Sequence, residues 1–241
     1  MNVTSISTSL RNLRIASVVS AISHTVASLI MAFVLGPGLL TNPNFYSRIE
    51  YIKTNTLWWQ LGWSVWIFTA FTFFVFTVCL WRHHLALGTS SFNRKLLITA
   101  VDLAAVAVLL DSHAELGQIL DVTALVSHYG EGPIRKEFIA SQVLFMFESG
   151  TVANFMYCLA TNCSVIATKN HYPKWLFNVG LAVFFVGLIA SGLAFIAGFL
   201  CGDMQDNPLR TILVATNAIL FPLLVLWQLG IAYKSKGENN A

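Results

Sequence analysis

Charge is the first thing this sequence lacks. Asp, Glu, Lys and Arg make up 10% of 241 residues and hydrophobic types 56%, whereas soluble globular chains are about 25% charged. That balance excludes the soluble classes. Cysteine is scarce as well. Cys79, Cys158, Cys163 and Cys201 form no C-x-x-C pair, which removes zinc-ribbon and thioredoxin-like readings and leaves small apolar packing residues. No H-E-x-x-H, nucleophile elbow or glycine-rich phosphate loop is present. Only Pro222 lies in the middle of an apolar run, where it predicts a kink with a freed backbone carbonyl beside it.

What is there instead is length of apolar sequence. Six runs, Leu13–Leu40, Leu57–Trp81, Leu96–Val126, Phe138–Thr168, Trp175–Leu200 and Leu209–Tyr233, each approach or exceed the ~20 residues of a membrane-spanning helix. Short connections leave no room for a soluble domain. The fold expected is all-α: a polytopic membrane protein, six transmembrane helices in one domain over 1–241. Its first partner is therefore the lipid bilayer. The first dozen residues are polar and the run after them is too long for a cleaved signal, so it reads as a signal anchor.

The basic residues are distributed unevenly. Arg11, Arg14, Arg82, Arg94, Lys95, Lys169, Lys174, Lys234 and Lys236 fall on one side, and Arg48, Lys53, Arg135, Lys136 and Arg210 on the other. The positive-inside rule then puts both termini in the cytoplasm, in a plasma (inner) membrane. These clusters set topology and do not suggest a phosphate or nucleic-acid surface.

The third run breaks the pattern, because Asp102, Asp111, His113, Glu115, Gln118 and Asp121 interrupt it. A charged residue at the centre of a span costs roughly 2.5–3.5 kcal/mol on insertion scales, so Asp111 and Glu115 cannot face lipid uncovered. Asp111, Glu115 and Gln118 fall on one helical stripe. Asp102 and His113 share the opposite face, which predicts a central helix contacted from both sides. Asp121 reads as a solvated acid at the outer boundary. Every lysine and arginine lies outside a span or at its edge, so any partner of these acids is a histidine, a cation, a cofactor or a proton. Two carboxylates one turn apart also resist ionising together.

Other spans supply polar groups at comparable depth. His24 is the mid-span candidate of the first run, on one face with Ser17, Ser20 and Ser28. Trp58 and Trp59 fit an interfacial belt, while Trp59, Trp63 and Trp66 share a face that could wall an apolar or cationic ligand. Glu148 lies mid-span in the fourth run, with Ser141, Thr151 and Asn162 near its face and Asn154, Cys158 and Thr161 on another stripe. The Gly- and Ala-rich fifth run reads as a packing helix. Asn217 lies at the depth of Glu148 in the sixth. The expectation is one polar pocket from mid-membrane to the outer leaflet.

The residues name no cofactor. Haem fits poorly, since His24 and His113 differ in depth by about 9 Å on a 1.5 Å rise. A carboxylate–histidine metal site is weakened by Asp111 and His113 pointing to different faces. Titratable groups held in a span are where proton relays and ion sites occur. The leading reading is proton- or cation-coupled handling of a small solute. Asp111, His113, Glu115 and Glu148 would move charge, and His24, Trp59, Gln60, Trp63, Gln118, Asn154 and Asn217 would line the ligand site. One alternative is an intramembrane enzyme doing acid/base chemistry on a lipid-soluble substrate. Another is a structural or assembly subunit whose buried polar groups only fix helix register.

Overall fold

In a bilayer each backbone N–H and C=O must be satisfied within its own segment, so each apolar run becomes a helix. The computed structural model describes residues 3–42, 44–128, 134–200 and 208–235. They form α1 (Val3–Ile30), α2 (Phe45–Thr54), α3 (Thr56–Ala86), α4 (Ser91–Gly117), α5 (Thr123–Ser127), α6 (Ile134–Phe145), α7 (Asn154–Thr168), α8 (Lys174–Phe195) and α9 (Pro208–Lys234). Wider π-helical turns at Met31–Leu35, Gln118–Val122, Met146–Ala153 and Ile196–Leu200 extend or join them. The protein is all-helical, with no strand among the described residues. Six segments are long and apolar enough to span a membrane: Ile6–Gly38, Thr56–Ala86, Ser91–Ser127, Arg135–Thr168, Lys174–Gly198 and Pro208–Lys234. Cys201 lies outside the described residues.

The spans form a ring in chain order. α1 packs on α3, α3 on α4, α4 on α7, α7 on α8, α8 on α9, and α9 closes back on α1. Aromatic side chains fill its middle. Trp66 meets Phe221 at 5.3 Å, Phe73 meets Tyr157 at 5.1 Å and Phe76 meets Trp227 at 5.5 Å between ring centroids. Each such pair contributes about 0.5–1.5 kcal/mol beyond its buried area. The outward faces are apolar too, with Phe33, Phe68, Leu109 and Phe185 exposed. Such a surface suits lipid as solvent and would aggregate in water.

α8 packs closely, as its composition implies. A Cβ on Gly187 would meet Cys158 Sγ, and one on Gly180 the Val165 side chain, well inside van der Waals distance. Asn154 reaches across to donate to the Gly187 carbonyl at 3.2 Å and to Ser191 Oγ at 2.9 Å. α9 remains helical through Pro222.

The two ends of the bundle differ. At one end Arg14 donates to the Ser235 carbonyl at 2.7 Å, tying the first span to the last. His83 meets Ser9 at 3.2 Å, and the His84 and His171 rings lie 4.7 Å apart. Tyr172 bridges His84 (3.4 Å) and Ser235 Oγ (3.2 Å). The α3–α4 turn at this end closes on Gly88, whose φ of +77° is a left-handed conformation that glycine adopts without strain.

The other end carries α2, in a stretch that reads from sequence only as loop. Asn44 caps it by accepting from Ser47 N at 3.0 Å, and Phe45, Ile49 and Ile52 recur at helical spacing. Phe45 packs edge-on against Phe138 at 5.7 Å, so α2 and α6 share a small core. The first span also departs from expectation, because its helix starts at Val3, ten residues before the apolar run. Ile6 and Leu13 are buried on its inner face.

Candidate functional site

The third span positions the site. Asp111, Glu115 and Gln118 are buried on one face of it. Asp102 and His113 lie on the opposite face and are exposed. The helix is therefore not central. It occupies one place in the ring, between α3 and α7, and its outer polar face is exposed. His113 instead reaches sideways, its Nδ1 donating to Glu148 Oε2 at 2.7 Å.

Glu148 belongs to the π-helical stretch Met146–Ala153, and so does Ser149. Ser149 Oγ donates to Asp111 Oδ1. Tyr157 donates to Asp111 Oδ2 at 3.4 Å and packs its ring against Phe73. Two adjacent residues of one stretch thus hold two titratable groups on opposite faces of α4, the surface pair His113–Glu148 and the buried Asp111. Glu115 stands one turn from Asp111, and its Oε2 is buried with no hydrogen-bond partner.

A second π-helical stretch, Gln118–Val122, meets α3. Trp59 Nε1 donates to the Gln118 carbonyl at 2.9 Å and Gln60 Nε2 to the Ile119 carbonyl at 3.4 Å. Trp59 is therefore fully buried, while Trp58 is exposed. Only Trp58 suits an interfacial belt. Trp63 stacks edge-on against Trp59 at 5.6 Å.

Other candidates lie elsewhere. His24 Nδ1 donates to the Ser20 carbonyl at 2.8 Å, and Ser20 Oγ accepts from Gln228 of α9 at 2.9 Å. The His24 ring sits 6.1 Å from Phe73, which separates it from Tyr157 and Asp111. Asn217 donates back to the Leu213 carbonyl of its own helix at 3.0 Å, and Asn154 is committed to α8. The single pocket expected from depth resolves into an acidic site between α3, α4 and α7 and a His24–Gln228 clamp between α1 and α9. Depth alone carries no information about which side of a ring a residue faces.

Ser149 and Tyr157 were not legible as site residues. A uniform helical wheel places Ser141 and Thr151 beside Glu148, but π turns bond i to i+5 and rotate every later residue. Gln228 had a cue, a buried amide in an apolar helix. Among the described residues no group of three or more His, Cys, Asp or Glu side chains is arranged to hold a metal ion. No family model matches the chain, and no curated protein or solved structure matches it either. Fold and site define an all-helical, six-span membrane protein with acids inside the bundle.

Proposed function

We propose that the protein moves protons, or a cation in exchange for them, coupled to handling of a small solute at the acidic site. One observation carries this reading: the sequence of titratable groups from surface to interior. His113 and Glu148 form a hydrogen-bonded pair at the edge of the bundle, Ser149 beside Glu148 holds Asp111, and Glu115 follows one turn on. In this reading a proton taken up at His113–Glu148 is handed inward to Asp111 and Glu115, with water carrying it past Ser149. Groups that served only to fix register would be paired throughout, whereas Glu115 Oε2 is not. The orientation proposed has both termini in the cytoplasm of a plasma membrane, and the acidic site in the outer half.

The test is proton flux in liposomes loaded with a pH-sensitive dye, under an imposed pH gradient with the membrane potential clamped. Flux above that of empty vesicles is expected, lost in Asp111→Asn and Glu115→Gln. Equal flux from both variants and the unaltered protein would sink the reading.

The exposure of His113 favours a second reading, acid/base chemistry on a lipid-soluble substrate. His113 shares the outward face of α4 with Leu109 and Leu116, both exposed, so a molecule dissolved in the bilayer reaches it directly. A co-purifying apolar lipid that Glu148→Gln converts more slowly would favour this reading.

A further inference from the structure

Beside the proposed proton path, the seam of α3 and α4 holds several buried polar atoms without partners, among them Glu115 Oε2 and Gln118 Oε1. Glu115 and Gln118 are 1% and 5% exposed, and neither Glu115 Oε2 nor Gln118 Oε1 has a hydrogen-bond partner. They are about one turn apart on the same stripe, and across the seam the indole N–H groups of Trp63 and Trp66 are also buried without an acceptor. The bond from Trp59 Nε1 to the Gln118 carbonyl sets the antiparallel register of the seam. One turn deeper on each helix, Trp63 comes level with Ala114 and Glu115, and Trp63 and Ala114 share one core cluster. Trp66 follows, level with Asp111. The seam therefore pairs idle acceptors and carboxyl groups with the indole rings of α3.

The charge of the region points the same way. Asp102, Asp111, Glu115 and Glu148 lie within spans, and no lysine or arginine lies among them to balance them. A ligand completing this seam brings positive charge, at least two N–H donors and an apolar body that tolerates aromatic walls. A quaternary ammonium has the charge without the donors. A neutral alcohol has a donor without the charge. A hard metal cation needs six or more oxygen ligands, beyond what Glu115 and Gln118 offer.

We propose that the α3–α4 seam binds a protonated primary or secondary amine with an apolar body, its N–H groups donating to Glu115 Oε2 and Gln118 Oε1 and its cation lying against Trp63 and Trp66. This rests on the proton-coupled reading above and names the class of solute. An amine that enters neutral and is bound protonated would also link solute to proton.

The experiment titrates detergent-purified protein with 2-phenylethylamine at neutral pH, following tryptophan fluorescence. Trimethyl(2-phenylethyl)ammonium and 2-phenylethanol serve as matched probes. Saturable binding of the amine is expected, with both analogues at least about tenfold weaker, the loss of a hydrogen bond to a charged group being of that size. Gln118→Leu and Glu115→Gln should each weaken the amine by about tenfold or more and leave 2-phenylethanol unchanged. Unfolding temperature is recorded for both variants. If Glu115→Gln does not fold, Gln118→Leu decides alone. Failure of the amine to bind, equal binding of the quaternary probe, or unaltered affinity in Gln118→Leu overturns the proposal. Proton flux without amine binding also overturns it and leaves the proton reading standing, whereas amine binding without flux upholds the seam and removes that reading.

Discussion

At the scale of single residues, Glu148 and His171 separate chemistry from architecture. Glu148 accepts from His113 at 2.7 Å at a half-buried position. A glutamine there keeps the shape and an acceptor for that hydrogen bond while losing the exchangeable proton. Glu148→Gln should therefore unfold near the temperature of the unaltered protein and lose proton flux by about 10²-fold, the lower end of what a positioned acid or base contributes. A large drop in folded yield would instead make Glu148 a structural residue. His171 lies outside the spans, and burial holds its pKa below the ordinary 6.5. Its ring lies edge-on against His84 of α3. The neutral form belongs to the folded state, so its contribution to stability is complete above the unfolded pKa. That contribution is lost as pH falls through the folded value. Unfolding temperature should fall between pH 7 and pH 5, and His171→Gln should flatten the slope. Tyr172, pushed up to about 12 by burial, stays a neutral hydroxyl throughout and does not confuse the titration.

At the scale of elements, α8 packs closely against α7. A methyl at Gly187 meets Cys158 Sγ well inside van der Waals distance, while Gly192, on the same helix, has nothing within 4 Å of its Cβ position. Overpacking costs about 1–3 kcal/mol, so Gly187→Ala should lower the unfolding temperature in detergent. Gly192→Ala should leave it unchanged or raise it, since alanine is favoured over glycine in a helix by about 1 kcal/mol. Equal effects from the two would mean that α7 and α8 do not approach this closely. The small residues of α8 were legible in sequence because spacing alone carries that signal. The buried stripe Asp111–Glu115–Gln118 was legible for the same reason, α4 being a regular helix as far as Gly117. Three things were hidden. The π-helical stretches leave no mark in composition, so Ser149 could not be placed on Asp111. The α2 helix is short and mixed in polarity, and its signal, Asn44 ahead of Phe45, Ile49 and Ile52, is visible only once its partner Phe138 is known. The position of α4 in a ring rather than at a centre depends on which spans touch, and hydropathy does not encode that.

At the scale of the molecule, the ring and its two ends decide how the protein sits in a membrane. An even number of spans puts both termini on one side. The Arg14–Ser235 contact, the edge-on His84–His171 contact and the Tyr172–Ser235 contact gather the start of α1, the end of α3, the α7–α8 turn and the end of α9 at that side. Arg82, Arg94, Lys95, Lys169 and Lys174 flank the same end. The opposite end has α2 and the start of α6, where Arg135 lies over Phe45 at 4.9 Å. The orientation proposed from the positive-inside rule makes the first end cytoplasmic. Single cysteines placed in a background with Cys79, Cys158, Cys163 and Cys201 replaced can read this directly. Ser90, which caps α4 by accepting from Asn93 N at 3.3 Å, and Glu50 on α2 lie at opposite ends of the bundle. With intact cells, a membrane-impermeant maleimide should label Glu50→Cys and spare Ser90→Cys, and lysis should expose Ser90→Cys. Labelling of Ser90→Cys from outside, with Glu50→Cys protected, would invert the molecule. The acidic site would then lie in the cytoplasmic half, and any proton it takes up at His113–Glu148 would come from the opposite compartment.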